Sequence, residues 1–137
     1  MYLCIMEDLK NLFIVDEQSY EKEKIPQQIK KVLRYCKVSK NGKVLLEKNK
    51  FSIRENLKII LVARFLANKL DGEISQEVSI DEIVASMGTN NKESLVTRMK
   101  EVVDENVAKR VSAGTYVIIP FYIDPFLDKL EKKTKNE

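Results

Sequence analysis

Three helix-start signals follow one another in the middle of the chain, and they constrain its fold more than any other feature. In each, a Ser or Asn can accept a hydrogen bond from the first turn of a helix, and a Glu three residues later can reach back. The pairs are Ser52 with Glu55, Ser79 with Glu82, and Asn90 with Glu93. Gly88 is placed to end the second helix and Asn106 the third, because both residue types tolerate a left-handed backbone. The sequence therefore predicts three independently capped helices.

The first of these helices is predicted to form the core of the chain. Its sequence, "SIRENLKIILVARFLANKL", is apolar over most of the helix circumference, as expected for a helix that is covered from several sides. Phe51, just before the cap, is available to pack against the first turn.

Two β-hairpins are predicted, one on each side of the three helices. In "YCKVSKNGKVLLEK" the Asn41-Gly42 pair separates β-compatible flanks, and both turn residues are expected to have positive φ. Val38, Val44 and Leu46 would then pack on one face while the lysines point outward. The second hairpin is "VAKRVSAGTYVIIP", with a small polar turn at 112–115.

The ends of the chain are predicted to carry further helices. Residues 5–15 have apolar positions at helical spacing, and "DEQSYEKEK" is read as a polar linker that ends at Pro26, in the first turn of the next helix. A last helix opens at Asp124-Pro125, with Phe126, Leu127 and Leu130 on one side. The expected divisions are 1–24 (helix and polar linker), 25–50 (helix and basic hairpin), 51–133 (main domain) and 134–137 (polar tail).

The order of these elements resembles a winged helix-turn-helix domain over residues 52–120. The likeness is carried by "SIDEIVASMGTNN" for the second helix and turn, "KESLVTRMKEVVDEN" for the recognition-type helix, and "VAKRVSAGTYVII" for the wing. The turn is one residue longer than the usual form, and Asn106 stands where such domains usually have glycine. The expected fold class is α+β, mostly helical, with an N-terminal helix and β-hairpin extension and a C-terminal helix.

Composition argues against several classes of function. The chain has no histidine, which removes the commonest general base and histidine-ligated zinc, and its four isolated glycines form no phosphate-binding loop. Cys4 and Cys36 are too few and too far apart for a metal site or a disulfide scaffold, and are expected to be buried or partly buried free thiols. We therefore expect no enzyme, no metal and no cofactor.

The opening segment lacks the features of a targeting or membrane sequence. Glu7 and Asp8 fall where a signal peptide would need apolar residues, and no apolar run approaches the roughly 20 residues of a membrane span. The protein is expected to be cytoplasmic, and either Met1 or Met6 can be its start.

Charge is distributed unevenly although the net formal charge is only +3. Residues 30–58 hold ten basic side chains against two acidic ones, whereas residues 71–90 hold five acids and no base. Such a field can steer an anionic partner. The third capped helix has a balance of −1 over residues 91–106.

The resemblance implies that the third helix enters the major groove of double-stranded DNA while lysines bind backbone phosphates, as in a transcription regulator. The candidate residues combine outward positions of that helix, the base of the wing and the basic hairpin. They are Asn90, Asn91, Lys92, Ser94, Thr97, Arg98, Lys109, Arg110, Lys37, Lys40 and Lys43.

Two alternatives remain open for the same residues. The helix can be a solvated or protein-docking face, which makes the fold a protein-interaction module, and the lysine cluster can be a solubilising surface. RNA binding is less favoured because the aromatic platform of single-strand readers is missing. The first and last helices are each expected to expose an apolar stripe, and pairing of these stripes across a two-fold axis predicts a homodimer.

Overall fold

The computed structural model describes residues 2–135, with side chains from residue 4 onward. It is an α+β fold in which helices predominate. The helices are α1 (Tyr2–Phe13), α2 (Glu17–Val32), α3 (Ile53–Leu70), α4 (Ile80–Met87), α5 (Lys92–Asp104) and α6 (Ile123–Lys135). The strands are β1 (Cys36–Val38), β2 (Val44–Leu46), β3 (Val78–Ser79), β4 (Ala108–Ser112) and β5 (Thr115–Ile118).

Helix α3 is the centre of the core, as its apolar circumference predicted. It packs against α2, α4, α5, both strands of the β1–β2 hairpin and β5. Leu57, Ile60 and Leu61 are fully buried within it. Because α3 is covered from all these sides, it positions the elements that pack against it.

The predicted capping signals are largely confirmed. Ser52 and Glu55 form a reciprocal capping box at the start of α3, and Ser79 and Glu82 form another at the start of α4. Gly88 ends α4 with φ +66. These contacts satisfy backbone groups that have no partner within the helix, so they fix where each helix begins and ends.

The start of α5 is one residue later than predicted. Asn91, not Asn90, is the N-cap, and its side-chain oxygen accepts a hydrogen bond from the Ser94 N–H at 3.1 Å. Asn106 follows the helix with φ 62, in the left-handed conformation expected for it.

The second sheet has three strands in the order β3-β5-β4, all antiparallel. Val78 pairs with Tyr116 and Ser79 with Thr115, directly beside the turn between β4 and β5. The short strand β3 thereby fixes the start of α4 against this turn.

The predicted polar linker is wrong, because "EQSYEKEK" forms the first half of α2 and a division at residue 24 falls inside this helix. Pro26 lies inside the helix rather than in its first turn. Glu, Lys and Gln are strong helix formers, and the carbonyl left without an N–H donor by Pro26 belongs to exposed Lys22, where water can reach it.

The β1–β2 hairpin is present, but its turn differs from the prediction. Gly42 has φ +91, whereas Asn41 is not among the residues with positive φ. The Gly42 N–H donates to the Ser39 carbonyl at 2.9 Å, and the Ser39 N–H donates to the Lys43 carbonyl at 2.8 Å. The loop therefore spans five residues, with glycine alone in the left-handed region.

The terminal helices behave differently from each other. On α6 the predicted stripe of Phe126, Leu127 and Leu130 is present but buried, so the expectation that it is exposed for dimer pairing is wrong. Gln28 and Lys31 of α2 donate to carboxylates of α6 and hold this helix against the body. Every described side chain of α1 is exposed.

Two of the sequence-based expectations concern residues at the ends of the chain. Helix α6 continues to Lys135, so the predicted tail begins inside it, and residues 136–137 lie outside the described part. Met6 lies within α1, whereas Met1, the other candidate start, is also outside the described residues.

Candidate nucleic-acid interface

Helix α5 has a buried side and an open side. Leu95, Met99 and Val102 are buried against α3 and α4, which holds the helix in a fixed orientation. On the open side, a shallow depression lies at the start of the helix. Its lining residues are Asn90, Asn91, Lys92, Glu93, Val96 and Thr97.

Most predicted reading residues of α5 are exposed, but several are engaged within the chain. Asn91 is occupied as the helix cap and Ser94 is half-buried beside it. The Thr97 hydroxyl donates to the Glu93 carbonyl at 3.1 Å. Asn90 is exposed, and no side-chain hydrogen bond involves it among residues 4–135.

Both predicted bases of α5 form ion pairs. Lys92 Nζ lies 3.0 Å from Asp81 Oδ1, and Arg98 Nη1 lies 2.7 Å from Glu101 Oε1. The side chains of these pairs are largely exposed, and such surface pairs are worth about 0 to 1 kcal/mol. A phosphate or a base edge can therefore replace the carboxylate at little cost.

Bases of α3 offset the acids at the far end of α5. Arg54 lies 2.8 Å from Glu105 and 3.6 Å from Glu101, and Lys58 lies 3.2 Å from Glu105. The balance of −1 counted along the helix sequence therefore overstates its negative charge, because bases from a neighbouring helix lie against it.

Lys109 and Arg110 lie on β4, the edge strand of the three-stranded sheet. Both are exposed, and neither forms an ion pair with any described residue. The turn that follows does not project from the sheet, because the Gly114 carbonyl accepts a hydrogen bond from the Ile80 N–H at 2.8 Å. The bases of this hairpin are therefore presented by its edge rather than by an extended tip.

Lys37, Lys40 and Lys43 are exposed on the β1–β2 hairpin. Within the described part of the chain, no carboxylate lies within ion-pair distance of them. The strands bury Cys36 and Val44 against α3, so the lysines are held on the outer side of a fixed hairpin. Among the described residues they are therefore unpaired cations on a hairpin that packs against the core.

Arg64 connects the hairpin to the start of α4, an arrangement that the sequence did not predict. It is 5% exposed, and its guanidinium donates to the Ser75 carbonyl at 2.8 Å, the Glu77 carbonyl at 3.0 Å and the Glu82 carboxylate. A Cβ at Gly42 would lie 3.5 Å from its Cζ. The only sign of this arrangement in the sequence is a charged residue inside an otherwise apolar helix. An arginine that is buried in such a helix is almost always paired, so hydrogen-bond acceptors are expected around it.

The two capping glutamates have lowered pKa values. Burial alone would raise the pKa of Glu82, but hydrogen bonds from Arg64 and the Ser79 backbone outweigh it and hold the pKa below its usual range. At Glu55, burial is likewise outweighed by hydrogen bonds from Lys133 and Ser52, so this pKa is also lowered. Both carboxylates therefore stay ionised to lower pH than an ordinary glutamate while they cap their helices.

No other chemistry stands out in the described residues. Within residues 2–135, no three His, Cys, Asp or Glu side chains are arranged to hold a metal ion. No helix in the same range is long and apolar enough to cross a membrane. Cys36 is buried as expected, and burial raises the pKa of its thiol to about 12. The expectation of burial is wrong for Cys4, which is exposed on α1.

Comparison of the chain with protein-family models, with curated proteins and with solved structures gives no match.

Proposed function

We propose that residues 52–120 form a winged helix-turn-helix domain that binds double-stranded DNA, as in a transcription regulator. In this proposal α5 lies in the major groove, and lysines of the β1–β2 hairpin bind backbone phosphates. The order α3, β3, α4, α5, β4, β5 and the sheet order β3-β5-β4 support it. The observation that supports DNA binding most directly is the depression at the start of α5. Amide, hydroxyl and ammonium groups suited to base edges are exposed there, on a helix whose other side is buried.

The charge arrangement supports separate roles for the two basic regions. Lys37, Lys40 and Lys43 are unpaired among the described residues, so they can bind phosphates without breaking an existing ion pair. Lys92 and Arg98 are paired with carboxylates and must exchange partners on binding. The hairpin would therefore supply affinity, and α5 would supply discrimination between bases.

Salt-dependent binding to a duplex tests the role of the hairpin. A fluorescent duplex is titrated with the full chain over a range of salt concentrations, and the logarithm of the association constant should fall linearly with the logarithm of salt. Lys37→Gln/Lys40→Gln/Lys43→Gln should reduce the slope by up to about 3, since each phosphate that a lysine no longer neutralises removes roughly 0.9. The matched control is Lys129→Gln/Lys132→Gln/Lys135→Gln on α6, which removes the same charge from exposed positions.

Three results would contradict the proposal. They are absence of duplex binding at low salt, binding without salt dependence, and equal effects of the two triple variants. Base discrimination is tested separately with Arg98→Ala and Lys92→Ala on a duplex selected from a random pool. Removal of one bidentate hydrogen-bond pair to a base should reduce the preference for that duplex by about 1 to 3 kcal/mol.

A second function, docking of a protein on the same face, is favoured by Val96. This side chain is 42% exposed within the depression, and the neighbouring bases are already paired. Capture of a stable partner by the wild type but not by Val96→Glu would select this function. The protein-docking function also requires that Lys92→Ala and Arg98→Ala leave duplex binding unchanged.

A further inference from the structure

Helix α1 carries an apolar face that no described residue of the single chain covers. Every side chain from residue 4 to residue 23 is exposed. Ile5, Leu9 and Leu12 recur at helical spacing on one face, and Leu12 is 78% exposed. Phe13, beside them, is 88% exposed. An isolated helix of 12 residues is marginal in water, so this face needs a partner surface.

An apolar groove of matching character lies on the body of the protein. It runs between α2, β1, α3 and the loop after α3, and it has a volume of about 230 Å³. Its walls include Ile29, Val38 and Leu66. Leu33 and Leu70 at its rim are 51% and 73% exposed, so they extend the apolar surface of the groove to the solvent.

A chain's own α1 is poorly suited to fill its own groove. Along the chain, residues 17–24 of α2 separate α1 from the first residues of the groove. Tyr20 is the only apolar side chain in this stretch. If α1 folded back along this stretch, its apolar face would lie mainly against Glu and Lys side chains, which would have to be desolvated.

We propose that α1 of one chain lies in the groove of a second copy, and that the exchange is reciprocal. Both surfaces carry both signs of charge near their apolar parts, with Asp8 and Lys10 on α1 and Lys37 and Asp71 at the groove. A two-fold arrangement makes each helix-groove contact twice, which doubles the apolar surface buried. This inference does not depend on the proposed function.

Oligomeric state measured on the full chain tests the exchange. Sedimentation equilibrium at micromolar concentration should show a dimer for the wild type. Leu12→Glu on α1 and Leu70→Glu at the groove should each raise the dimer dissociation constant at least tenfold, because each places a charge in an apolar contact. Phe121→Glu is the matched control, since Phe121 is 80% exposed and lies outside both surfaces.

Mixing the two variants distinguishes exchange from pairing of one α1 with another. An equimolar mixture of Leu12→Glu and Leu70→Glu chains can form one intact contact, between the unaltered α1 of one and the unaltered groove of the other. One glutamate already breaks a contact, so a second glutamate in the same contact costs little more, and the mixture should dimerise more strongly than either variant alone. The proposal is overturned if the wild type is monomeric or if the Leu70→Glu chain dimerises as well as the wild type. It is also overturned if Phe121→Glu raises the dimer dissociation constant as much as the two interface variants do, or if the mixture dimerises no more strongly than either variant alone.

Discussion

Replacement of Arg64 by Met should cost about 3 kcal/mol of the free energy of unfolding. Arg64 is buried on α3, and its guanidinium binds Ser75, Glu77 and Glu82. A hydrogen bond made by a charged group contributes about 1.5 to 3 kcal/mol, and a partly buried carbonyl that loses its donor adds to the loss to the extent that water cannot replace the donor. The Glu82 side chain is 43% exposed, and Ser75 and Glu77 are exposed residues, so water can replace part of all three interactions and the expected loss is well below their sum.

Urea unfolding followed by far-ultraviolet circular dichroism measures this loss. The chain has no tryptophan, so a backbone signal is preferable to fluorescence. Arg54→Met is the matched control, because Arg54 lies on the same helix and forms its ion pairs at the surface. It should cost less than about 1 kcal/mol. If Arg64→Met costs no more than Arg54→Met, the role assigned to the buried guanidinium is wrong.

Three further predictions concern stability and reactivity. Because the pKa values of Glu55 and Glu82 are lowered in the folded protein, the stability they contribute is present above the unfolded value of about 4.3 and is lost as pH falls through the folded values. The unfolding free energy should therefore drop at acidic pH, with a smaller drop in Glu82→Gln. A thiol reagent at pH 8 should modify Cys4 rapidly and Cys36 only on unfolding, and equal rates would contradict its burial. Asn106→Ala should cost about 1 kcal/mol in denaturant unfolding because its φ is positive, whereas Asn106→Gly should be close to neutral.

Local sequence signals predicted much of the secondary structure. The capping boxes at Ser52 and Ser79 and the helix ends at Gly88 and Asn106 follow from hydrogen bonds and backbone preferences within a few residues. Such features depend little on the rest of the fold. The predicted cap of α5 is one residue early because Asn90 and Asn91 are adjacent and chemically equal, and only the path of the chain selects between them.

Features that depend on tertiary packing are not accessible in the same way. The apolar stripe of α6 is evident in the sequence, but its burial depends on interactions with α2, as in the hydrogen bond from Gln28 to Asp124. The first half of α2 has the character of a linker because it has no apolar face of its own. Its helix formers suffice when the rest of the helix is anchored by packing, as at buried Val32.

The same distinction limits what the sequence predicts about the candidate site. Exposure of Lys37 follows from strand alternation beside buried Cys36. Exposure of Arg110 does not, because Arg110 lies on the strand face of buried Ala108. The pairing of Lys92 with Asp81 joins two helices and has no local signature. Arg54 lies far from α5 in sequence, yet it binds Glu101 and Glu105. Charge counted along one helix is therefore a poor guide to the charge of the surface that the helix forms.

The most direct test of the proposed DNA surface is a map of backbone amide shifts during titration of ¹⁵N-labelled protein with a duplex at low salt. The largest changes should fall on residues 90–98 of α5 and its entry, on residues 37–43 of the β1–β2 hairpin, and on Lys109 and Arg110. The proposal would be contradicted if the duplex caused no shifts, or if the shifts were confined to α1 and α6 while the start of α5 stayed unchanged.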